Sequence, residues 1–184
     1  MKPSAALPFL PFILGLAIGA AITLDRLPGL IMGRAMERIE TMGAATGSVR
    51  HAPRVTAENQ TIVRASPDIL YSVCLFDLAD GPIRVDATWP TDGNYASVSF
   101  YDANTNNFAV ASDRDIDSDA SSLMLTQWAD WLTAPDLRDG ADRQVNAPTA
   151  TGLILFRRVI DAGTDLDIAE TERQGFTCTQ MADQ

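Results

Sequence analysis

The sequence predicts a mainly β protein, in which a β-sandwich or jelly-roll-like domain follows a transmembrane helix and a short amphipathic helix. Residues 5–24 form an apolar block without a charged side chain. From residue 62 onward, short apolar or alternating runs are separated by clusters of Gly, Pro, Asn and Asp, a pattern typical of strands joined by tight turns. The expected boundaries are 1–25 for the transmembrane anchor, 26–47 for the juxtamembrane amphipathic helix and 48–184 for the β domain.

The apolar block is long enough to cross a bilayer. Its twenty residues would rise roughly 30 Å as a helix, the thickness of the hydrocarbon core. A cleaved secretory signal is the alternative, with Lys2 as its basic start and Gly19-Ala20-Ala21 as a small-residue cleavage site. An uncleaved anchor is favoured, because the block exceeds a signal's apolar core and no polar spacer precedes Asp25. We therefore expect residues 5–24 to contact the lipid bilayer.

Two sets of signals disagree about the side of the membrane that holds the β domain. Arg26, Arg34 and Arg38 follow the span and only Lys2 precedes it, which favours a cytoplasmic domain under the positive-inside rule. The short basic start, in contrast, is typical of an exported chain. The domain also has an even number of cysteines, which suits an oxidising compartment. We expect a single-pass membrane protein whose C-terminal domain lies outside the cytoplasm.

Gly15 and Gly19 lie four residues apart within the span. A Gly-x-x-x-Gly pattern lets the backbones of two membrane helices approach closely. The motif allows self-association of the chain through its anchor, but small residues at this spacing also occur by chance in membrane helices.

The segment after the span is expected to form a separate helix. Pro28 and the glycine after it are expected to break or restart the helix. The next residues place Ile31, Ala35, Ile39 and Met42 at helical spacing. This spacing predicts a short amphipathic helix that rests on the membrane surface or on the domain.

Charge is distributed unevenly along the chain. Residues 65–184 hold seven basic and twenty acidic side chains, a balance of −13, whereas residues 1–64 carry +3. Such an acidic domain repels phosphate backbones, so the sequence argues against nucleic-acid binding.

The strands differ in how they are expected to be covered. Residues 69–78 are apolar on both faces, which predicts a central strand covered on both sides. Residues 83–89 alternate between apolar and polar, with one face in the core and one in water. Residues 121–132 fit a strand or a helix. The remaining expected elements are strands at 95–101, 108–111 and 151–160, a last helix at 165–174, and a linker or edge segment at 48–62.

No residue pattern in the chain specifies a catalytic or metal site. The single histidine, His51, excludes multi-histidine metal sites. The run of aspartates from Asp113 to Asp119 lacks the glycine and the final carboxylate of an EF-hand loop, so a solvated acidic loop is favoured over a calcium site. No nucleophile elbow, dinucleotide-binding loop, P-loop or Cys-x-x-Cys pattern occurs. We therefore predict no cofactor and no metal, and the sequence leans against an enzyme.

The chain has two cysteines, Cys74 and Cys178. In a cytosolic protein each would be a small buried apolar residue. In an exported domain an even count favours pairing. Because export is expected, we predict a disulfide between Cys74 and Cys178.

Two motifs in the strand region carry a family resemblance. The stretch 66–85, SPDILYSVCLFDLADGPIRV, and the stretch 95–110, YASVSFYDANTNNFAV, resemble domain-of-unknown-function family 1254, above all its short, membrane-anchored bacterial members. The resemblance covers roughly residues 45–180. The motif residues are Tyr71, Asp77, Gly81 and Pro82 in the first stretch, and Tyr101, Asp102, Asn107 and Phe108 in the second.

The resemblance implies a partner and no reaction. Short members of this family tend to occur beside a separate protein of domain-of-unknown-function family 1214, which implies a hetero-complex of two β domains. Our leading hypothesis is therefore a structural or interaction module of the bacterial cell envelope, anchored by one span in the inner membrane with its C-terminal domain in the periplasm. A hydrolase-like enzyme subunit using Asp77, Tyr101, Asp102 and Asn104 is the rival.

A third hypothesis is a jelly-roll that binds sugars or lipids. Such a domain would have a pocket rimmed by aromatics such as Trp89, Trp128 and Trp131. The two motif aspartates have a simpler role, because a carboxylate at a strand-to-turn junction accepts hydrogen bonds from turn amides.

Overall fold

The protein is a two-sheet β-sandwich with a long N-terminal helix and a short C-terminal helix. A computed structural model describes residues 9–56, 58–59, 65–115, 118–127 and 141–181. The predicted mainly β fold is confirmed, with the sheets stacked face to face around one core.

The N-terminal helix, α1, spans Leu10–Thr41 as one continuous element. The predicted break at Pro28 is wrong, since this residue lies inside the helix. A proline removes one backbone hydrogen bond and bends a helix, but residues on both sides of it here remain helical. The expected separate amphipathic helix is therefore the second half of α1.

Sheet A contains five antiparallel strands. Its order is β1 (Val49–His51), β2 (Ile69–Asp77), β8 (Thr151–Val159), β4 (Ala96–Asp102) and β5 (Asn107–Ser112). The segment expected as a linker or edge thus supplies an edge strand, β1. At the opposite edge, β5 pairs with β4 alone among the described strands.

Sheet B contains four strands. Its order is β7 (Arg143–Ala147), β6 (Ala120–Gln127), β3 (Ile83–Thr88) and β9 (Thr177–Gln180). The ambiguous stretch at 121–132 is a strand over its described residues. The pairing of β6 with β7 is parallel, and the sequence analysis did not anticipate β7.

Strand β2 is covered on both faces, as its sequence predicts. Cys74 and Phe76 point into the core between the sheets. Leu75 belongs to the opposite, outer face, yet it is only 1% exposed. The chain just after α1 runs beside β2, where Gly47 N–H donates to the Leu75 carbonyl (2.8 Å), and α1 itself contacts the neighbouring strand β8.

The second half of α1 crosses the outer face of sheet A from one edge towards the other. A Cβ placed on Gly29 would lie 3.4 Å from Asn104 Oδ1, in the turn between β4 and β5. A Cβ placed on Gly43, just past the helix, would lie 3.2 Å from Arg50 Nη1 on β1. Arg50 lies level with Ser99 of β4 in the sheet register, whereas Asn104 lies five residues further along the chain. The helix therefore crosses the sheet obliquely, from β1 towards the β4–β5 turn.

The contact face of α1 differs in part from the predicted one. Ala35 and Ile39 are half-buried, as expected. Met32 is the most buried residue of the helix at 4% exposure, whereas Ile31 is 55% exposed. The predicted apolar stripe thus lies about one position away from the observed one at its N-terminal end.

The C-terminal helix, α2, spans Leu166–Gln174 and confirms the expected last helix. The Asp165 side chain caps it by accepting hydrogen bonds from the amides of Asp167 and Ile168. Ala169 packs with Leu70 and Ile160 in a small second cluster.

Candidate functional site

The first family motif forms the turn between β2 and β3. Asp77 Oδ1 accepts a hydrogen bond from the Ala79 amide (3.0 Å) and caps a short 3₁₀ turn, Leu78–Asp80. Gly81 has a φ of +114°, a conformation that favours glycine because it has no Cβ. The Pro82 carbonyl accepts from the Met181 amide (2.9 Å). The motif aspartate therefore shapes a turn, as its position predicts.

The second motif forms the turn between β4 and β5. Asp102 is 4% exposed, and its Oδ1 accepts from the Asn104 and Asn106 amides (2.8 Å each). Its Oδ2 accepts from Asn106 Nδ2 (2.8 Å). All three donors belong to its own turn, so this carboxylate is engaged in shaping that turn. Asn104, named with it in the hydrolase hypothesis, is an exposed turn residue.

The remaining motif residues also support the fold. The Tyr71 hydroxyl accepts from the Ser66 amide (3.1 Å). The ring of Phe108 lies 6.1 Å from that of Phe100 at the rim of the core. Tyr101 is half-buried and pairs with the exposed Asn107, where the register of the β4–β5 ladder shifts.

The two motif turns meet on either side of the start of β8, at a glycine that the sequence analysis did not single out. Asp102 pairs with Gly152, and Asp77 pairs with its neighbour Thr151. A Cβ on Gly152 would lie 2.2 Å from the Tyr101 carbonyl oxygen, so no other residue fits without displacing β4. The sequence feature that could have identified Gly152 is an isolated glycine inside an apolar strand, which often marks a close approach of another backbone.

Cys74 and Cys178 form the disulfide that the sequence predicts. Cys74 lies in β2 of sheet A and Cys178 in β9 of sheet B. The bond therefore crosses the core and fastens the C-terminal edge strand to the opposite sheet. It is a structural bond, buried among core side chains.

A polar cavity of about 260 Å³ lies on the outer face of sheet B. Arg84 Nε donates to both carboxylate oxygens of Asp86 (3.0 and 3.1 Å). Asp142 accepts from the Ser122 amide (2.7 Å), and the buried Ser122 hydroxyl has no partner among the described residues. Its lining contains no residue of the hydrolase hypothesis and no pairing of a nucleophile with a base.

Trp89 does not form the rim of a binding pocket. Its side chain is buried in the core, where Nε1 donates to Ser121 Oγ (2.7 Å). Trp128 and Trp131, the other aromatics of that hypothesis, lie outside the described residues.

His51 lies on β1, with Nδ1 2.8 Å from Ser72 Oγ. Burial lowers its pKa, and the Arg173 guanidinium lowers it further, against a smaller opposite effect of Glu170. Ser72 is fully buried, so this pair offers no accessible nucleophile. The part of the chain that the structure describes contains no cluster of His, Cys, Asp or Glu suited to a metal ion.

Two aspartates of the acidic run at residues 113–119 accept hydrogen bonds from strands β4 and β5. Asp113 Oδ1 accepts from the Ala96 amide (3.1 Å). Asp115 Oδ2 accepts from the Ser112 amide and hydroxyl (3.1 and 2.8 Å). Asp117 lies outside the described residues.

A buried ionic cluster joins α2 to the sandwich, and sequence reasoning missed it. Arg158 Nη2 donates to Glu172 Oε2 (2.7 Å) and to Asp92 Oδ2 (3.0 Å). Burial raises the pKa of Asp92, but the Asn94 amide and the Arg158 guanidinium outweigh this and lower it to about 2. Nothing in the sequence separates Arg158 from its neighbour Arg157, so only the fold reveals which one is buried.

Helix α1 has the length and apolarity to cross a membrane, and its most apolar stretch is exposed to the surroundings. Exposed large apolar side chains continue from Phe9 to Leu30. The disulfide suggests an oxidising compartment.

A protein-family model described as "Protein of unknown function (DUF1254)" matches residues 46–180. The chain belongs to this family. No curated protein matches the chain.

Two solved structures resemble the fold. The VPA0106 protein from Vibrio parahaemolyticus matches 86% of this chain with a TM-score of 0.63 and 15% identity. An uncharacterized protein from Burkholderia cenocepacia matches 76% with a TM-score of 0.49 and 13% identity. In each case this chain covers 35% of the other chain, so the solved chains are much longer than the part that it matches.

Proposed function

We propose that this protein is a single-pass anchor of the bacterial inner membrane that holds a β-sandwich in the periplasm. The continuous helix α1 carries this proposal. Its first half is apolar and exposed, and its second half is packed on sheet A. One rigid element thus belongs both to the span and to the domain. The disulfide supports the periplasmic side, because disulfides persist in oxidising compartments.

The sandwich acts as an interaction module that docks with a separate β-domain protein of family 1214. The matched fold makes up 35% of the longer V. parahaemolyticus chain, so this fold occurs elsewhere together with further polypeptide. The carboxylates of the hydrolase hypothesis are engaged in their own turns. Trp89 of the ligand-binding hypothesis lies in the core. No second function is therefore proposed.

Co-purification tests the interaction role. The C-terminally tagged full chain is purified from solubilised membranes, beside a tagged copy ending at residue 47 that keeps the anchor alone. We expect a family 1214 protein, identified by mass spectrometry, with the full chain only. Recovery of no such partner, or equal recovery with the anchor alone, contradicts the proposal.

Labelling tests the side of the membrane. Ala45 is exposed just after α1, and with both native cysteines paired, Ala45→Cys adds the one free thiol. A membrane-impermeant maleimide should label it in intact spheroplasts. Labelling only after lysis would place the domain in the cytoplasm.

The proposal extends to self-association through the anchor. Gly15 and Gly19 have open space around the position of a Cβ, so a second helix can approach there. Differently tagged copies should co-purify, and a Gly15→Leu/Gly19→Leu variant should not. Unchanged co-purification of that variant would exclude this motif as the contact.

A further inference from the structure

The way α1 leaves the sandwich determines which surface faces the bilayer. Running from residue 43 back to residue 29, the helix crosses sheet A and passes the turn between β4 and β5. The exposed apolar half then continues beyond that side of the sheet. The bilayer therefore lies on the side of the β4–β5 turn, next to the edge strand β5 of sheet A.

The distance between this edge and the lipid is short. The ion pair of Asp25 and Arg26 marks the polar end of the span, only four positions before Gly29. Four residues of helix rise about 6 Å, and the headgroup region on each side of a bilayer is roughly 5–8 Å thick. The β4–β5 turn and β5 thus reach headgroup level.

The chemistry of this surface suits that position. We define the membrane edge as residues 103–112 together with Arg143. The ten residues of the first part carry no charged side chain, although residues 65–184 have a balance of −13. Arg143 adds a cation there, since its Nη2 donates to the Val110 carbonyl (3.0 Å). The negative charge of an anionic headgroup layer repels most of this acidic domain. It does not repel the membrane edge, which holds one cation and no acidic side chain.

The edge also carries apolar surface and an open strand. Val110 is 42% exposed, and β5 has no second partner strand among the described residues. Open edges are normally blunted or covered, because they invite pairing with other chains. A headgroup layer would provide such a cover.

We propose that the membrane edge rests against the phospholipid headgroups, with the docked half of α1 holding it there. The membrane edge contacts the lipid surface of the same bilayer that the span crosses. This inference rests on the proposed anchoring and adds to it a fixed orientation of the domain.

Depth-dependent fluorescence quenching tests the orientation. Single Val110→Cys, Ala45→Cys and Leu16→Cys chains carry an environment-sensitive fluorophore and are reconstituted in vesicles of phosphatidylcholine and phosphatidylglycerol. One set of vesicles has a nitroxide on the headgroup and another has it on the acyl chain. Ala45 is the matched control, because it is exposed and follows the end of α1 at Thr41, which lies about 18 Å along the helix from Gly29.

We expect headgroup nitroxide to quench position 110 severalfold more than position 45, and acyl-chain nitroxide to quench position 16. Equal quenching at 110 and 45, with position 16 quenched, overturns the orientation and leaves the anchor standing. An unquenched position 16 overturns both the anchoring and the orientation.

A second pair of variants tests whether the docked helix sets the orientation. Met32→Glu places a carboxylate in the contact between α1 and sheet A, whereas Ile31→Glu places it on the exposed side. Quenching at position 110 should fall to the level of position 45 in the first variant and stay unchanged in the second, with position 16 unaffected in both. Undiminished quenching in Met32→Glu contradicts the proposal.

Discussion

Reduction of the disulfide between Cys74 and Cys178 should lower stability without unfolding the domain. The bond closes a loop of 104 positions. In the chain-entropy model, opening a loop of that length costs about 4.7 kcal/mol through the added freedom of the unfolded chain. Strand β9 keeps its four pairs with β3 after reduction, and the Phe176 ring stays stacked on Phe156 at 5.2 Å. We therefore expect a folded but weakened protein.

Guanidinium titration of the detergent-solubilised chain measures this loss through tryptophan fluorescence, to which the buried Trp89 contributes together with Trp128 and Trp131. The free energy of unfolding of such a domain falls by about 3 kcal/mol per molar guanidinium. A loss of about 4.7 kcal/mol therefore corresponds to a decrease in the denaturation midpoint of about 1.5 M when reductant is added. The Cys74→Ala/Cys178→Ala variant is the control and should not respond to reductant.

A reductant-induced shift below about 0.3 M, or about 1 kcal/mol, would refute the loop-closure reasoning. Two thiols reactive in the denatured, unreduced protein would refute the disulfide itself.

The remaining predictions concern one glycine and one ionic cluster. Gly152→Ala should destabilise the fold by about 3 kcal/mol or more, since its Cβ would lie 2.2 Å from the Tyr101 carbonyl oxygen; the exposed Gly163→Ala should change the midpoint of the same titration little. The depressed pKa of Asp92, about 2 against an ordinary 3.8, means that its pairing with Arg158 stabilises the fold above about pH 4 and is lost as the pH falls towards 2. The difference in denaturation midpoint between the wild type and Asp92→Asn should therefore become smaller as the pH falls from about 4 towards 2. A difference that stays constant over this range would contradict the prediction.

Alternation in the sequence predicted the strands well, because burial follows the two-residue period of a strand. Val85, Ala87 and Trp89 all face the core, as their spacing indicates. The same rule also shows why Trp89 cannot form a pocket rim. Strand β7 was missed because it is short and pairs in parallel with β6. Parallel neighbours are not joined by a tight turn, so no turn residues in the sequence indicate this pairing.

The errors elsewhere come from contacts distant in sequence. Pro28 is a helix breaker by local propensity, but an apolar span precedes it and a sheet contact follows, and both favour continued helix. The hydrogen-bonding role of Asp102 was predictable, because it depends on its own turn. Arg158 meets Glu172 and Asp92 only after the sandwich has formed.

The docked half of α1 has a practical consequence for soluble fragments of this protein. Helix α1 covers part of sheet A through its contact with β8, and Met32 on this helix is only 4% exposed. A fragment that begins at residue 48 would strip away that cover and present an apolar patch to water, which favours aggregation. One that begins at residue 28 removes most of the span yet keeps Met32 and Ile39 on the sheet. Crystallisation trials should start from the longer fragment.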